Sequence, residues 1–254
     1  MRVKILGCSG GIGGARRTTA MLVDDDTLID GGTGVGDLSL EELARIDHVF
    51  ITHAHLDHIA CIPLMIDSVA RYRTEPITVY AIPAVLHVLQ AHIFNWQIWP
   101  DFSRIPSAQT PFMAYQSLAV GQGVILGSRT ITPIPAQHTV PAVGYHLDSG
   151  SSSLVFTGDT TSHEALWEYI NEVNNLRYLI IETAFPEQQR DIAIASKHLC
   201  PSLLVSELRK LRRAAEIYVT HLKPGEGDQI MAEIHQRVGA PAPTSLRNQQ
   251  IFDF

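Results

Sequence analysis

Thr52-His53-Ala54-His55-Leu56-Asp57-His58 stands at the end of the apolar run His48-Val49-Phe50-Ile51-Thr52. The run reads as a buried strand by its continuous apolar, β-type character. Side chains two apart on a strand leave the same face, so His53 and His55 emerge together, while Asp57 and His58 turn onto the first residues of a helix. Four ligand-type heads therefore converge within a few residues. Burying them at a strand terminus is costly unless a metal pairs them. Imidazole together with carboxylate suits zinc first, with manganese or iron as alternatives, and argues against the all-oxygen cages of calcium and magnesium. Isolated histidines such as His87, His92 and His235 read as surface or satisfied core residues.

Outward from this motif the pattern is that of an α/β protein. Val3 to Leu6, Ala20 to Val23 and Leu28-Ile29 are short strands around the glycine-rich turn Gly7-Cys8-Ser9-Gly10-Gly11. That turn could expose N–H groups to a phosphate, although tight packing is the simpler use. Leu38 to Arg45 reads as a helix, as do Asp57 to Arg71 and, after a strand at Ile77 to Tyr80, Pro83 to Phe94. The segment 93–111 is rich in aromatics and prolines without periodicity, so it is expected to be an inserted loop or cap and not core. Strands resume at Val124 to Leu126 and Ile131 to Ile134, and a hairpin is expected from Val143 to Thr157 around Asp148-Ser149-Gly150. Helices (Ser162 to Glu172, Pro201 to Leu211, Gly225 to Arg237) then alternate with strands (Tyr178 to Ile181, Ile217 to Thr220).

Composition bounds the function. The chain has 254 residues, 45% hydrophobic and 18% charged, with mean hydropathy +0.07, enough apolar material for one large domain spanning 1–254. Its formal charge of -7 is the wrong sign for gripping a nucleic-acid backbone, and no basic patch offsets it. Cys8, Cys61 and Cys200 are odd in number and far apart, which fits a reducing compartment. The first apolar run is too short for a signal core or membrane span, so a cytoplasmic protein without a membrane partner is expected.

Three later residues end strands in the same manner: His138 after Ile131 to Ile134, Asp159 after Leu154 to Gly158, and His221 after Ile217 to Thr220. The ordered set HxHxDH, His, Asp, His resembles the metallo-β-lactamase superfamily over the full chain. That resemblance implies an α/β (α+β) fold, the four-layer αββα sandwich. It also implies two divalent transition-metal ions, one held by His53, His55 and His138, the other by Asp57, His58 and His221, with Asp159 bridging and Asp30 supporting the ligand loop. A metal pair of this kind activates water for hydrolysis.

Glu182 at a strand end and His198 ahead of a helix resemble the Glu and His motifs of the phosphodiesterase branch, which includes RNase Z. By that resemblance His198 is the proton donor to the leaving oxygen and Glu182 orients it; with Asp57 they form the expected catalytic set. His92 to Phe102, His198-Leu199-Cys200-Pro201 and Tyr218 to Pro224 resemble the class II 3′,5′-cyclic-nucleotide phosphodiesterases. Cys61 departs from that family's pattern, which has Gly or Ser there, as does the Ser68-Val69 pair. The resemblance implies a small-molecule cyclic nucleotide as substrate, hydrolysed to the 5′-nucleotide. Asn95 and Trp99, with Trp96 and Phe102, are then candidates to contact the base, or else form the small core of the cap. A homodimer is expected. The alternatives are an RNase Z-like tRNA 3′-processing enzyme, a carbonyl-directed hydrolase on the same metal pair, and a protein that binds ligand without turnover.

Overall fold

The computed structural model describes residues 1–239 and 241–254. Among the described residues, fourteen strands form two seven-stranded sheets. The first contains β1 (Arg2–Gly7), β2 (Ala20–Val23), β3 (Thr27–Ile29), β4 (His48–Phe50), β5 (Ile77–Ala81), β6 (Met113–Ser117) and β14 (Ile251–Asp253), in the order β14-β1-β2-β3-β4-β5-β6. The second contains β7 (Val124–Leu126), β8 (Arg129–Pro135), β9 (Val143–Asp148), β10 (Ser153–Phe156), β11 (Leu176–Glu182), β12 (Glu216–Thr220) and β13 (Thr244–Ser245), in the order β13-β12-β11-β10-β9-β8-β7.

Three apolar clusters make the four layers. Val3, Ile5, Phe50 and Tyr80 of the first sheet meet Tyr145, Leu154, Phe156 and Ile180 of the second in the central core. Val49, Ile51 and Val79 face the other way, against α2 (Leu56–Ile59), α3 (Ile62–Val69) and α4 (Pro83–Val88). Val155, Leu179 and Val219 pack on α5 (Glu164–Glu172), α7 (Pro201–Leu208) and α8 (Gly227–His235). The alternation of Val49 outward, Phe50 inward and Ile51 outward explains why the run 49–51 is apolar without interruption, since both faces are covered there. The architecture is the expected αββα sandwich. Two further short helices complete it, α1 (Leu40–Ala44), started by a reciprocal Ser39–Glu42 capping box, and α6 (Arg190–Ala195).

Several elements differ from the sequence reading. The helix expected over 57–71 is broken into α2 and α3: Cys61 N donates instead to Gly31 O at 2.8 Å, and Pro63 sits in the first turn of α3, where its missing N–H is tolerated. The helix from Pro83 continues past Val88 as a π turn over Leu89–Ile93. β6, α6, β13 and β14 carry no strong periodicity and were outside the expectation. The insert 93–111 is not wholly peripheral. Phe94 and Phe102, each 2% exposed, enter the outer core of the first sheet, because β6 returns to pair in parallel with β5 and draws the preceding chain over the helical layer.

The topology gathers the functional loops at one end. β4 and β5 run parallel, β10, β11 and β12 run parallel, and Val143 N bonds Thr52 O across the sheets. Thr52, Asp159, Thr183 and His221 therefore follow strands that finish at the same edge of the sandwich.

Candidate metal centre

The HxHxDH loop is seated on an Asp-Gly-Gly turn. Asp30 is fully buried, with φ +59. Its carboxylate accepts from Thr52 N (2.8 Å), Thr52 Oγ1 (2.8 Å) and His58 Nδ1 (2.7 Å). A Cβ on Gly31 would lie 2.3 Å from Ile62 Cγ1, and one on Gly32 would lie 2.4 Å from Asp57 O. Only glycine allows the turn to approach the ligand loop this closely.

Two groups of ligand atoms result. His53, His55 and His138 form one, and Asp57, His58, Asp159 and His221 the other, with all atoms of each group within 4.8 Å of one another. In the first, His53 Nε2 and His138 Nε2 lie 3.1 and 3.2 Å from His55 Nδ1. His138 donates its Nδ1–H to Lys197 O at 3.1 Å, which leaves its Nε2 lone pair directed into the group. Converging imidazole lone pairs repel unless a cation lies among them. In the second, the buried His58 Nε2 and His221 Nδ1 have no hydrogen-bond partner among the described residues. Orphaned buried nitrogens beside carboxylates are what a metal site presents. Asp159 stands between the groups: its Oδ2 is 3.4 Å from His58 Nε2 and 3.8 Å from His53 Nε2, and its Oδ1 is 3.2 Å from His221 Nδ1. The donor set fits two N/O-ligated divalent ions of the zinc, manganese or iron type.

The electrostatics agree with ligation. Burial depresses His53 and lowers His138 to about 4 and His221 to about 3, so these imidazoles are neutral and free to coordinate. Burial alone would raise Asp159, but the neighbouring imidazoles, of which His58 is the charged one, hold its carboxyl well below the usual range. His58 is the exception. Against its own burial, Asp159 and Asp30 on either side raise it well above the ordinary value, so ion binding there must displace a proton.

Beside the cluster, His198 Nδ1 lies 2.7 Å from Glu182 Oε1. Glu182 is fully buried and is fixed by Leu199 N and Thr160 N, both at 3.2 Å. The His198 ring is 4.8 Å from that of His138 and 5.0 Å from that of His221. Its ligand atom also groups with those of His138 and Asp159. The sequence reading missed three contributors. The Thr52 hydroxyl ties Asp30 to His53 Nδ1 at 3.0 Å. The Lys197 carbonyl sets the His138 tautomer. Lys223 donates Nζ to Gly10 O at 2.8 Å and lies 5.6 Å from the Phe185 ring. Thr52 was visible as the polar residue ending an apolar strand; a backbone carbonyl leaves no such trace.

Asn95 and Trp99 are not brought to this cluster. α4 and its π turn lead the chain to the start of β6, where Met113 N donates to Phe102 O at 3.2 Å and Trp99 N to Ile93 O at 3.0 Å, whereas the ligand loop follows the end of β4, which runs parallel to β5 and β6. Asn95 braces its own loop, donating to Ala91 O and accepting from Gln97 N and Ile98 N, and Trp99 packs against the outer core. The glycine-rich turn is also occupied, since Cys8 N and Ser9 N donate to Arg17 O and Gly10 N to Leu222 O. Among the described residues no helix is long and apolar enough to cross a membrane.

Comparison with known proteins adds family and fold. Residues 27–239 match the model of the beta-lactamase superfamily domain. The chain is 27% identical over 203 residues to a protein of Yersinia pestis named probable 3′,5′-cyclic-nucleotide phosphodiesterase, covering 70% of this chain and 57% of that one. It is also 27% identical over 211 residues to a chloroplastic tRNase Z of Arabidopsis thaliana, covering 68% and 56%. The chain thus spans little more than half the length of either relative. Unliganded yeast PDE1 shares the fold with a TM-score of 0.79 at 20% identity, over 98% of each chain.

Proposed function

From the premise that this chain belongs to the metallo-β-lactamase superfamily, we propose that it is a metal-dependent phosphodiesterase converting 3′,5′-cyclic nucleotides to 5′-nucleotides. The observation that carries the reading is the His198–Glu182 pair beside the two ligand groups, because a phosphoester alkoxide needs a proton as it departs. The relatives named cyclic-nucleotide phosphodiesterase support the substrate, and the net charge of -7 weighs against a tRNA backbone.

In this reading His53, His55 and His138 hold one divalent ion, Asp57, His58 and His221 the other, and Asp159 both. Bound ions of this kind supply Lewis acidity, lowering the pKa of water toward neutrality and offsetting charge on phosphoryl oxygens. The remaining work belongs to the chain. Asp30 and Thr52 hold His53 and His58 in one orientation, and Lys197 O does so for His138, so the ligand geometry is set before substrate arrives. Glu182 accepts the Nδ1–H of His198 and aims its Nε2–H at the departing 3′ oxygen. His198 is 7% exposed, which limits proton exchange with bulk water.

The test is a product assay on cAMP, cGMP, bis(p-nitrophenyl) phosphate and precursor tRNA with the metal-loaded protein. The expected result is 5′-monophosphate from a cyclic nucleotide, with little salt sensitivity and negligible tRNA cleavage. Cleavage of the generic diester with both cyclic nucleotides untouched would refute the substrate assignment. The similarity to a tRNase Z favours a second reading, tRNA 3′ processing, which the precursor tRNA in the same assay decides.

A further inference from the structure

A cavity of about 440 Å³ borders Leu222 and Lys223, the two residues that follow the metal-cluster residue His221. Its walls come from the loop after β1, the loop after β12, the first turn of α8 and the chain after β13. The two loops are tied together: Gly10 N and Ser9 Oγ both donate to Leu222 O, at 3.1 and 3.3 Å, and Lys223 Nζ is held by Gly10 O. None of the seven ligand residues lines this cavity.

Its chemistry is three-part. Arg16 and Arg247 line it. Among the described residues the arginine–carboxylate ion pairs are made by other side chains, namely those of Arg2, Arg17, Arg45, Arg73, Arg104 and Arg129. Arg16 and Arg247 stand outside those pairs, on the exposed rim of the cavity, and guanidinium matches phosphate with paired donors. Leu222, Met231 and Leu246 supply an apolar wall suited to a flat ring. Asp228 is the one carboxylate on the lining, and a carboxylate there would repel a second phosphate but accept from a sugar hydroxyl. The volume is of the size that holds a small organic ligand.

We propose that this cavity is a second binding site, for a nucleoside monophosphate, with Arg16 and Arg247 on the phosphate, the Leu222–Met231–Leu246 wall on the base and Asp228 on the ribose. The site stands apart from the proposed reaction, since none of these side chains belongs to the metal cluster.

The test follows the Met231 methyl resonance of the metal-loaded protein, labelled at methionine, during titration with 5′-AMP. The Met231 signal should shift and saturate. Arg16→Ala and Arg247→Ala should each raise the midpoint about tenfold, and together about a hundredfold, as expected for charge-assisted hydrogen bonds. Arg247→Lys should recover part of the loss, and adenosine should bind far more weakly than AMP. The buried Met21 and Met65 methyls report that each variant is folded. A Met231 signal that does not move at saturating AMP, or a midpoint unchanged in the Arg16→Ala/Arg247→Ala protein, would overturn the site. Neither result would bear on turnover of cyclic nucleotides, and loss of that turnover would leave this titration interpretable.

Discussion

Strands β4 and β5 have two ends, and the molecule treats them differently. At one end Thr52 to His58 places four ligand-type side chains in a few residues, two of them held by a neighbour: Asp30 on His58 and Thr52 on His53. At the other end the insert 93–111 is ordered mainly by apolar packing of Phe94, Trp99 and Phe102, and Arg129 pins Asp26 at 2.8 Å from the second sheet. The Trp99 Nε1 and Tyr115 hydroxyl of that region are buried without partners among the described residues. One end is organised by polar partners at fixed distances, the other by volume. Polar groups fixed by directional hydrogen bonds define a geometry, whereas an aromatic cluster defines only a filled space.

The contrast breaks if changes at the metal end prove mild or changes at the packed end prove catalytic. The largest expected effect is that of Asp159→Ala, which should lose both ions and all measurable turnover together; elemental analysis still finding two ions per chain would remove Asp159 from its position between the groups. Next, His198→Ala should keep its metal and lose roughly 10²–10⁴-fold in turnover of a cyclic nucleotide. The loss should shrink for a p-nitrophenyl ester, whose leaving group needs no proton. A fall in metal content would instead make His198 a ligand, as its grouping with His138 and Asp159 permits. Asp30→Asn should weaken metal affinity about 10- to 100-fold in chelator competition, with smaller effects on turnover once the protein is saturated.

At the packed end, Phe102→Ala should cost about 3–5 kcal/mol of stability in denaturant titrations and leave kcat/KM per folded, metal-loaded chain unchanged. Trp99→Ala should behave alike. If it raises KM for a cyclic nucleotide but not for a small diester, the insert reaches the substrate after all. The smallest effect concerns acid. Burial would raise the Asp26 carboxyl, but the Arg129 hydrogen bonds outweigh it and bring it below 3.8. The stability from this pair is present above that ordinary value and lost as pH falls through the lower folded one. Arg129→Ala should therefore lower Tm near neutrality by an amount worth about 1 kcal/mol or less, with the difference from the parent protein vanishing at the acid limit.

The same contrast explains what could be read from the chain. His53, His55, His138, Asp159 and His221 stood out as polar heads following apolar runs, Asp57 and His58 by their spacing from the first two, and the αββα layering was implied by the resemblance of the ordered set to the metallo-β-lactamase superfamily. Glu182 and His198 were legible as a strand end and a helix start, and the structure adds the 2.7 Å contact that unites them. Asn95 and Trp99 were ambiguous because an aromatic-rich segment reads identically whether it lines a pocket or fills a core. β6 escaped because its residues are half polar, and its place depends on β5, more than thirty positions earlier. The Asp30 turn was visible, but its dependence on two glycines emerged only from the approach of Ile62 and Asp57.

The ligand groups draw on both sheets: His53, His55, Asp57 and His58 follow β4 of the first, while His138, Asp159 and His221 follow β8, β10 and β12 of the second. Ions bound there would act as cross-links between the two halves of the sandwich, in a chain whose three cysteines are all free. Such a clasp stabilises as a disulfide does, by removing freedom from the unfolded chain, but it responds to ion concentration instead of redox state. It can close only after the sheets have docked, so it rewards the last stage of folding and not the first. Chelation should then loosen the metal edge of the sandwich before the central core, with amide exchange rising around Thr52 and His221 while β10 and β11 stay protected.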